Sequence, residues 1–203
     1  MGKGVRTVRD RLKSQGVRTT ALWAYARGIP KVTGVPMLEY SRVTESIYVG
    51  PQHRENGKRA LLQAGITHIV NMRAEFDDAE HGLTLGVKGA ARYCHLPTID
   101  DDPISAVHIR EGIAFIERAL AEGGKVYIHC TAGVGRAPSM AASYLISKGC
   151  SVDEALDRIR AARPFIKPTP VQIRALAEFE RKTKDDGGAN SSRDVTRRPS
   201  APR

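Results

Sequence analysis

One passage limits the possible folds more than any other: Lys125-Val-Tyr-Ile-His129, then Cys130-Thr-Ala-Gly-Val-Gly-Arg136, then a helical stretch to about Lys148. The first part reads as a buried strand, because apolar and β-branched residues dominate it and Gly123-Gly124 stop the helix before it. Gly133 and Gly135 then let the backbone curl as the chain enters the next helix. Successive N–H groups and the positive end of that helix are thereby aimed at one point, which suits a phosphate dianion.

The flanking pattern sets the rest of the architecture. Short apolar runs at 47–49, 68–72 and 92–96 alternate with helical stretches near 56–64 and 104–122. Ser151-Val-Asp-Glu154 and Thr169-Pro170-Val-Gln172 match the capping-box pattern and open helices expected over 152–162 and 170–183. The expected fold class is α/β, a central, mainly parallel sheet flanked by helices with the phosphate-binding loop between a strand and a helix.

Charge divides the chain. The formal net charge of the 203 residues is +10, but residues 1–20 carry +5 and residues 181–203 carry +4, leaving about +1 for the body. Basic ends without interleaved aromatic residues, on a near-neutral body, argue against nucleic acid as a partner. Residues 1–40 are expected to form a basic, loosely docked arm, with Gly-Ile-Pro at 28–30 and Gly-Val-Pro at 34–36 breaking any long helix. Weak peripheral membrane contact through this basic start is the alternative use of it. Residues 41–184 are expected to form the folded domain, and 185–203 a disordered tail.

Cys94, Cys130 and Cys150 form no CxxC pair, and there is no secretory segment or membrane-length apolar run, so a reducing, cytoplasmic setting is expected. Only Cys130 faces surroundings that favour the thiolate, the form that attacks phosphorus. Arg136, six residues on, can donate two parallel hydrogen bonds to phosphate oxygens. The alternative is a buried structural cysteine after a core strand. Cys94 and His95 read as structural, and Cys150, which follows Gly149 at a helix C-terminus, as packing or surface. Arg73 and Glu75 read as solvated loop residues, with a place on the cleft border as the alternative, and Arg163 and Gln172 as helix-end residues.

These residues resemble the protein tyrosine phosphatase superfamily, and its dual-specificity branch in particular, over roughly 40–183; Ser46-Ile-Tyr-Val-Gly50, Gly65-Ile-Thr-His-Ile-Val-Asn71, Arg163-Pro164 and Gln172 follow in the matching order. The resemblance implies a phosphocysteine intermediate on Cys130, no metal or other cofactor, and phosphate binding by Thr131, Ala132, Gly133, Val134, Gly135 and Arg136. It also implies a general acid in the Asp100-Asp101-Asp102 run, with Asp100 the choice and Asp102 next, and a supporting His129 that hydrogen-bonds the loop. Ala137 departs from the Ser or Thr usual after the arginine. The same Gly-Arg-Ala-Pro string resembles plant glucan phosphatases. Phosphorylated protein is the expected substrate, with phosphoglucan, phospholipid, or a weakly active phosphate-binding module as alternatives.

Overall fold

The computed structural model describes residues 3–85 and 92–194, with side chains described for 8–85 and 92–185. Four strands, β1 (Ile47–Pro51), β2 (His68–Arg73), β3 (Tyr93–Thr98) and β4 (Val126–Cys130), form one sheet of order β1-β4-β2-β3. Every pairing is parallel. The C-terminal ends of all four strands therefore lie along one edge, and Cys130 closes a central strand there. Crevices outside the carboxyl ends of parallel strands are where α/β folds bind ligands.

Alternation along the strands separates two cores. Val126, Ile128, Val70, Met72, Ile47 and Val49 face helices α3 (Ala106–Ala121), α4 (Arg136–Ser147), α5 (Val152–Ala162) and α6 (Pro170–Asp194). Tyr127, Ile69 and Tyr48 face the other way, onto Leu61 of α2 (Glu55–Gln63) and Ile66. α4 is the central helix, with all but two of its residues buried. Its Ala137, Ser139, Ala141, Ala142 and Ser143 let neighbouring helices come close, and a Cβ built on Gly112 of α3 would lie 2.6 Å from the Met140 sulfur. Both expected capping boxes are present, Ser151 with Glu154 and Thr169 with Gln172.

The N-terminal segment differs from the expected solvated arm. It is helical from Lys3 to Thr33 (α1), broken only at Gly16, whose φ of 78° is left-handed. Trp23, Ala26 and Pro30 are buried, and Trp23 and Ala26 pack with Met37 and Phe165. The Arg11 guanidinium donates to the Phe165 carbonyl at 3.0 Å and lies 4.4 Å from the Trp23 ring, and Gln15 donates to the Ile166 carbonyl at 3.0 Å. Pro30 costs the helix one N–H donor in its last turn, an end effect that this docking outweighs. Gly34, at φ 74°, ends the helix with its N–H on the Pro30 carbonyl.

α6 also outruns its expected end at 183. Its backbone stays helical to Asp194, and Glu178–Lys182 and Glu180–Lys184 pairs brace the exposed face. The part of the expected tail at 195–203 lies outside the described residues.

Gly50 of β1 has no room for a side chain, since a Cβ there would fall 2.0 Å from the Tyr127 hydroxyl, which donates to the Pro51 carbonyl. Gly50→Ala should destabilise the protein by about 1–3 kcal/mol in urea unfolding, the usual cost of overpacking.

Candidate active site

Cys130 lies buried at the floor of a cleft of about 430 Å³, whose walls include Thr131, Val134, Gly135, Asp100, Lys167 and, from α1, Trp23. The Gly133 N–H reaches back to its Sγ at 3.3 Å. Gly133 has φ 64°, and a Cβ there would strike the Gly50 carbonyl carbon at 2.4 Å, so the loop turns tightly against β1.

The loop carbonyls are held from outside. Arg163, 1% exposed, donates from Nε to the Gly133 carbonyl (2.6 Å), from Nη2 to Ala132 (3.0 Å) and from Nη1 to Tyr40 (2.9 Å). Drawing these carbonyls outward leaves the loop's N–H groups to face the cleft. Arg163 thus props the loop, a role that its sequence position at a helix end did not reveal.

Arg136 occupies the first turn of α4, fully buried. Nη1 donates to the Thr98 carbonyl (2.7 Å) and to Glu75 Oε2 (2.8 Å), while Nη2 donates to Glu75 Oε1 (3.0 Å) and Thr131 Oγ1 (2.8 Å). Asp100 Oδ1 lies 3.0 Å from Nε, but Nε makes no directed hydrogen bond, so this is an ion contact. Burial alone would lower the Arg136 pKa; Glu75, with the nearby Cys130 and Asp100, raises it instead. The guanidinium holds the Glu75 carboxyl far below the usual carboxylate range. Glu75 is therefore the clamp on Arg136 rather than a solvated loop residue, and Arg73 Nε donates to the same Oε1 at 2.9 Å. No spacing signal in the sequence links Glu75 to Arg136, 61 residues apart.

Among the three aspartates, Asp100 alone reaches Arg136. The capping box of α6 doubles as the anchor of this loop: Thr169 Oγ1 donates to the Asp101 carbonyl (2.9 Å) and Gln172 Nε2 to the Asp102 carbonyl (2.9 Å). Asp101 takes the left-handed φ of 68° that the turn requires. Gln172, buried beside Gly135, is thus a second positioning residue left unassigned by sequence.

His129 makes a different contact from the expected one. Its Nε2 donates to Asp78 Oδ2 at 2.7 Å, both side chains wholly buried, and Asp78 Oδ1 accepts from Gln52 at 2.8 Å. Burial works to raise the Asp78 carboxyl, but His129 and the other partners leave it below its ordinary value. His53 stands edge-on to His129, ring centroids 5.2 Å apart, and donates from Nε2 to the Leu83 carbonyl. His53, Asp78 and His129 have metal-ligand spacing, yet both Asp78 oxygens are already engaged, and the cluster reads as a support beneath the loop. Ala137 is fully buried in the same core cluster as Cys130. Burial pushes the Cys94 thiol up to about 11, and His95 Nε2 bonds the Arg73 carbonyl, which suits structural roles for both.

Residues 47–182 match the model of the dual specificity phosphatase catalytic domain. Among curated relatives, human dual specificity protein phosphatase 16 is 28% identical over 74% of this chain and 22% of its own length. Human protein phosphatase Slingshot homolog 3 is 29% identical over 69% of this chain and 20% of its own, and human dual specificity protein phosphatase 26 is 29% identical over 70% and 67%. The chain thus spans about a fifth of the first two. The crystal structure of PTPMT1 in complex with PI(5)P superposes with a TM-score of 0.63 at 25% identity, covering 72% of this chain and 97% of that one. Human DUSP28 gives a TM-score of 0.59 at 24% identity, covering 71% and 94%, and shares the fold.

Burial, then the neighbouring His129, lowers the His53 pKa from 6.5 to about 4. Between those values the unfolded chain binds the proton and the folded one does not, so stability is full above pH 6.5 and falls on acidification toward 4. Urea unfolding at pH 7 and pH 5 should show a loss of roughly 1–2 kcal/mol from this group. The loss should shrink in His53→Gln.

Proposed function

Because this chain belongs to the dual specificity phosphatase catalytic-domain family, we propose that it hydrolyses phosphate monoesters through a phosphocysteine intermediate. The observation that carries the reading is that Cys130 and Asp100 line one cleft, with the buried Arg136 guanidinium behind it and its Nε 3.0 Å from Asp100 Oδ1. The Cys130 thiolate attacks phosphorus, forming the S–P bond as the P–O bond to the leaving group breaks. Asp100 gives its proton to the departing oxygen. Water then attacks the phosphorus, its proton passes to Asp100, and the S–P bond breaks to release inorganic phosphate and the thiolate. Arg136 Nε, which makes no hydrogen bond of its own, and the N–H groups of the loop at residues 131–135 are the donors for the non-bridging oxygens, while Nη1 and Nη2 are held by Glu75, Thr98 and Thr131.

Protein phosphotyrosine and phosphoserine or phosphothreonine are the substrates that the family membership and the names of the curated relatives support. A phospholipid headgroup is the second reading, favoured by Arg27, which α1 adds to the cleft beside Asp10 and the buried Arg11, and by the likeness to PTPMT1, whose structure holds PI(5)P.

Hydrolysis of para-nitrophenyl phosphate with EDTA present tests the chemistry. Cys130→Ser should abolish turnover, and Asp100→Asn should lower kcat by about 100-fold or more. An active Cys130→Ser protein would overturn the assignment. Glu75→Gln keeps the shape of the clamp but removes its charge, and should raise KM for phosphate esters and weaken orthovanadate inhibition by about 10-fold; unchanged values would show that Arg136 needs no clamp.

A further inference from the structure

α1 presents two unlike faces. Trp23, Ala26 and Pro30 are buried against the domain, while Tyr25, Ile29 and Val32 are 55%, 37% and 85% exposed. Spacings of four and three place these last three in one outward stripe. Residues 11–38 contain neither Asp nor Glu, and their exposed cations are Lys13, Arg18 and Lys31, while Arg11 and Arg27 turn toward Trp23 and the cleft. An apolar stripe bordered by cations, with no acid to offset them, is the pattern of a helix that rests in the headgroup boundary of an anionic bilayer.

The second observation lies between this helix and the phosphate loop. A cavity of about 180 Å³ is walled by Arg27, Lys31, Arg54 and Arg73, and no acidic side chain lines it. It shares Arg27, Thr131 and Ala132 with the cleft above Cys130. Arg73 is shared with Glu75 and Gln52, and the three further cations around so small a space favour an anion of phosphate size. The cavity adjoins the cleft at the very helix that bears the apolar stripe. No helix among the described residues is long and apolar enough to cross a membrane, so contact of this kind is at the surface.

We propose that α1 is a docking face for an anionic lipid surface and that the cavity of Arg27, Lys31, Arg54 and Arg73 receives a lipid headgroup phosphate. On the phosphatase reading, a headgroup held there lies beside Cys130; the docking itself does not depend on that reading.

Co-sedimentation of the full chain with vesicles tests it. Vesicles of phosphatidylcholine with about a third phosphatidylglycerol should pellet the protein, phosphatidylcholine alone should not, and raised salt should release it. Ile29→Glu with Val32→Glu should reduce the bound fraction about tenfold, and Lys31→Ala with Arg54→Ala should weaken binding to anionic vesicles too. Circular dichroism and the unfolding midpoint check that the variants fold, and Tyr25→Ser offers a milder change of the same stripe. Equal binding to neutral vesicles, no binding to anionic ones, or full binding by the folded stripe variants would overturn the proposal. Para-nitrophenyl phosphate hydrolysis on the same sample separates the two ideas: turnover without pelleting sinks the docking alone, and pelleting without turnover sinks the phosphatase alone.

Discussion

Two guanidinium groups taken out of water organise this protein. Arg136 and Arg163 are the largest fully buried side chains among the described residues, and a cation loses its hydration on burial, so each needs oxygen acceptors in fixed places. Arg163 finds them in the carbonyls of Ala132, Gly133 and Tyr40, and Arg136 in the Thr98 carbonyl, Thr131 and Glu75. The loop of residues 131–135 is thus gripped at Thr131 by one guanidinium and at Ala132 and Gly133 by the other. Arg163 takes the carbonyls of Ala132 and Gly133, and the backbone N–H groups of Gln52, Lys167 and Ser139 take those of Thr131, Val134 and Gly135, so the loop's acceptors are consumed from outside the cleft.

That demand spreads outward. Glu75 can clamp Arg136 only if the chain leaving β2 bends back over the sheet edge, and Asn71 holds that bend by donating to the Phe76 carbonyl (2.8 Å) while accepting the Arg73 N–H (2.9 Å). Arg73 then reaches Gln52, Gln52 reaches Asp78, and Asp78 meets His129, the residue before Cys130. One chain of polar contacts therefore links the segments following β1, β2 and β4. The links between members are all made, with His129 Nδ1 the buried atom in the chain left without a partner, and a polar network linked in this way stiffens a site. The remaining segment, carrying Asp100, is tied from the opposite side by the cap of α6.

The covering of the cleft is a separate matter. α1 adds Trp23 and basic side chains to one wall, and it does so through contacts of Arg11 and Gln15 with the carbonyls of Phe165 and Ile166, more than 150 residues away in sequence. A basic segment with Gly and Pro signals looked like a loose arm because local propensity weighs only neighbours. Here a tertiary contact supplied the stabilisation that the local sequence lacked.

What the sequence determined by itself was everything that depends on neighbours along the chain. The strand at 126–130, the glycine turn, the helix from Arg136, the caps at Ser151 and Thr169 and the placing of Cys130 opposite N–H donors all follow from spacing within a dozen residues. Parallel pairing and the covering of the sheet by helices followed from the alternation of short apolar runs with amphipathic ones. The tertiary structure alone decided which acid clamps Arg136, which arginine props the loop, what His129 meets, and where the helix Lys3–Thr33 lies. Those contacts join segments from 30 to more than 150 residues apart, and a hydrogen bond's range of about 3 Å leaves no periodic trace in a sequence over such separations.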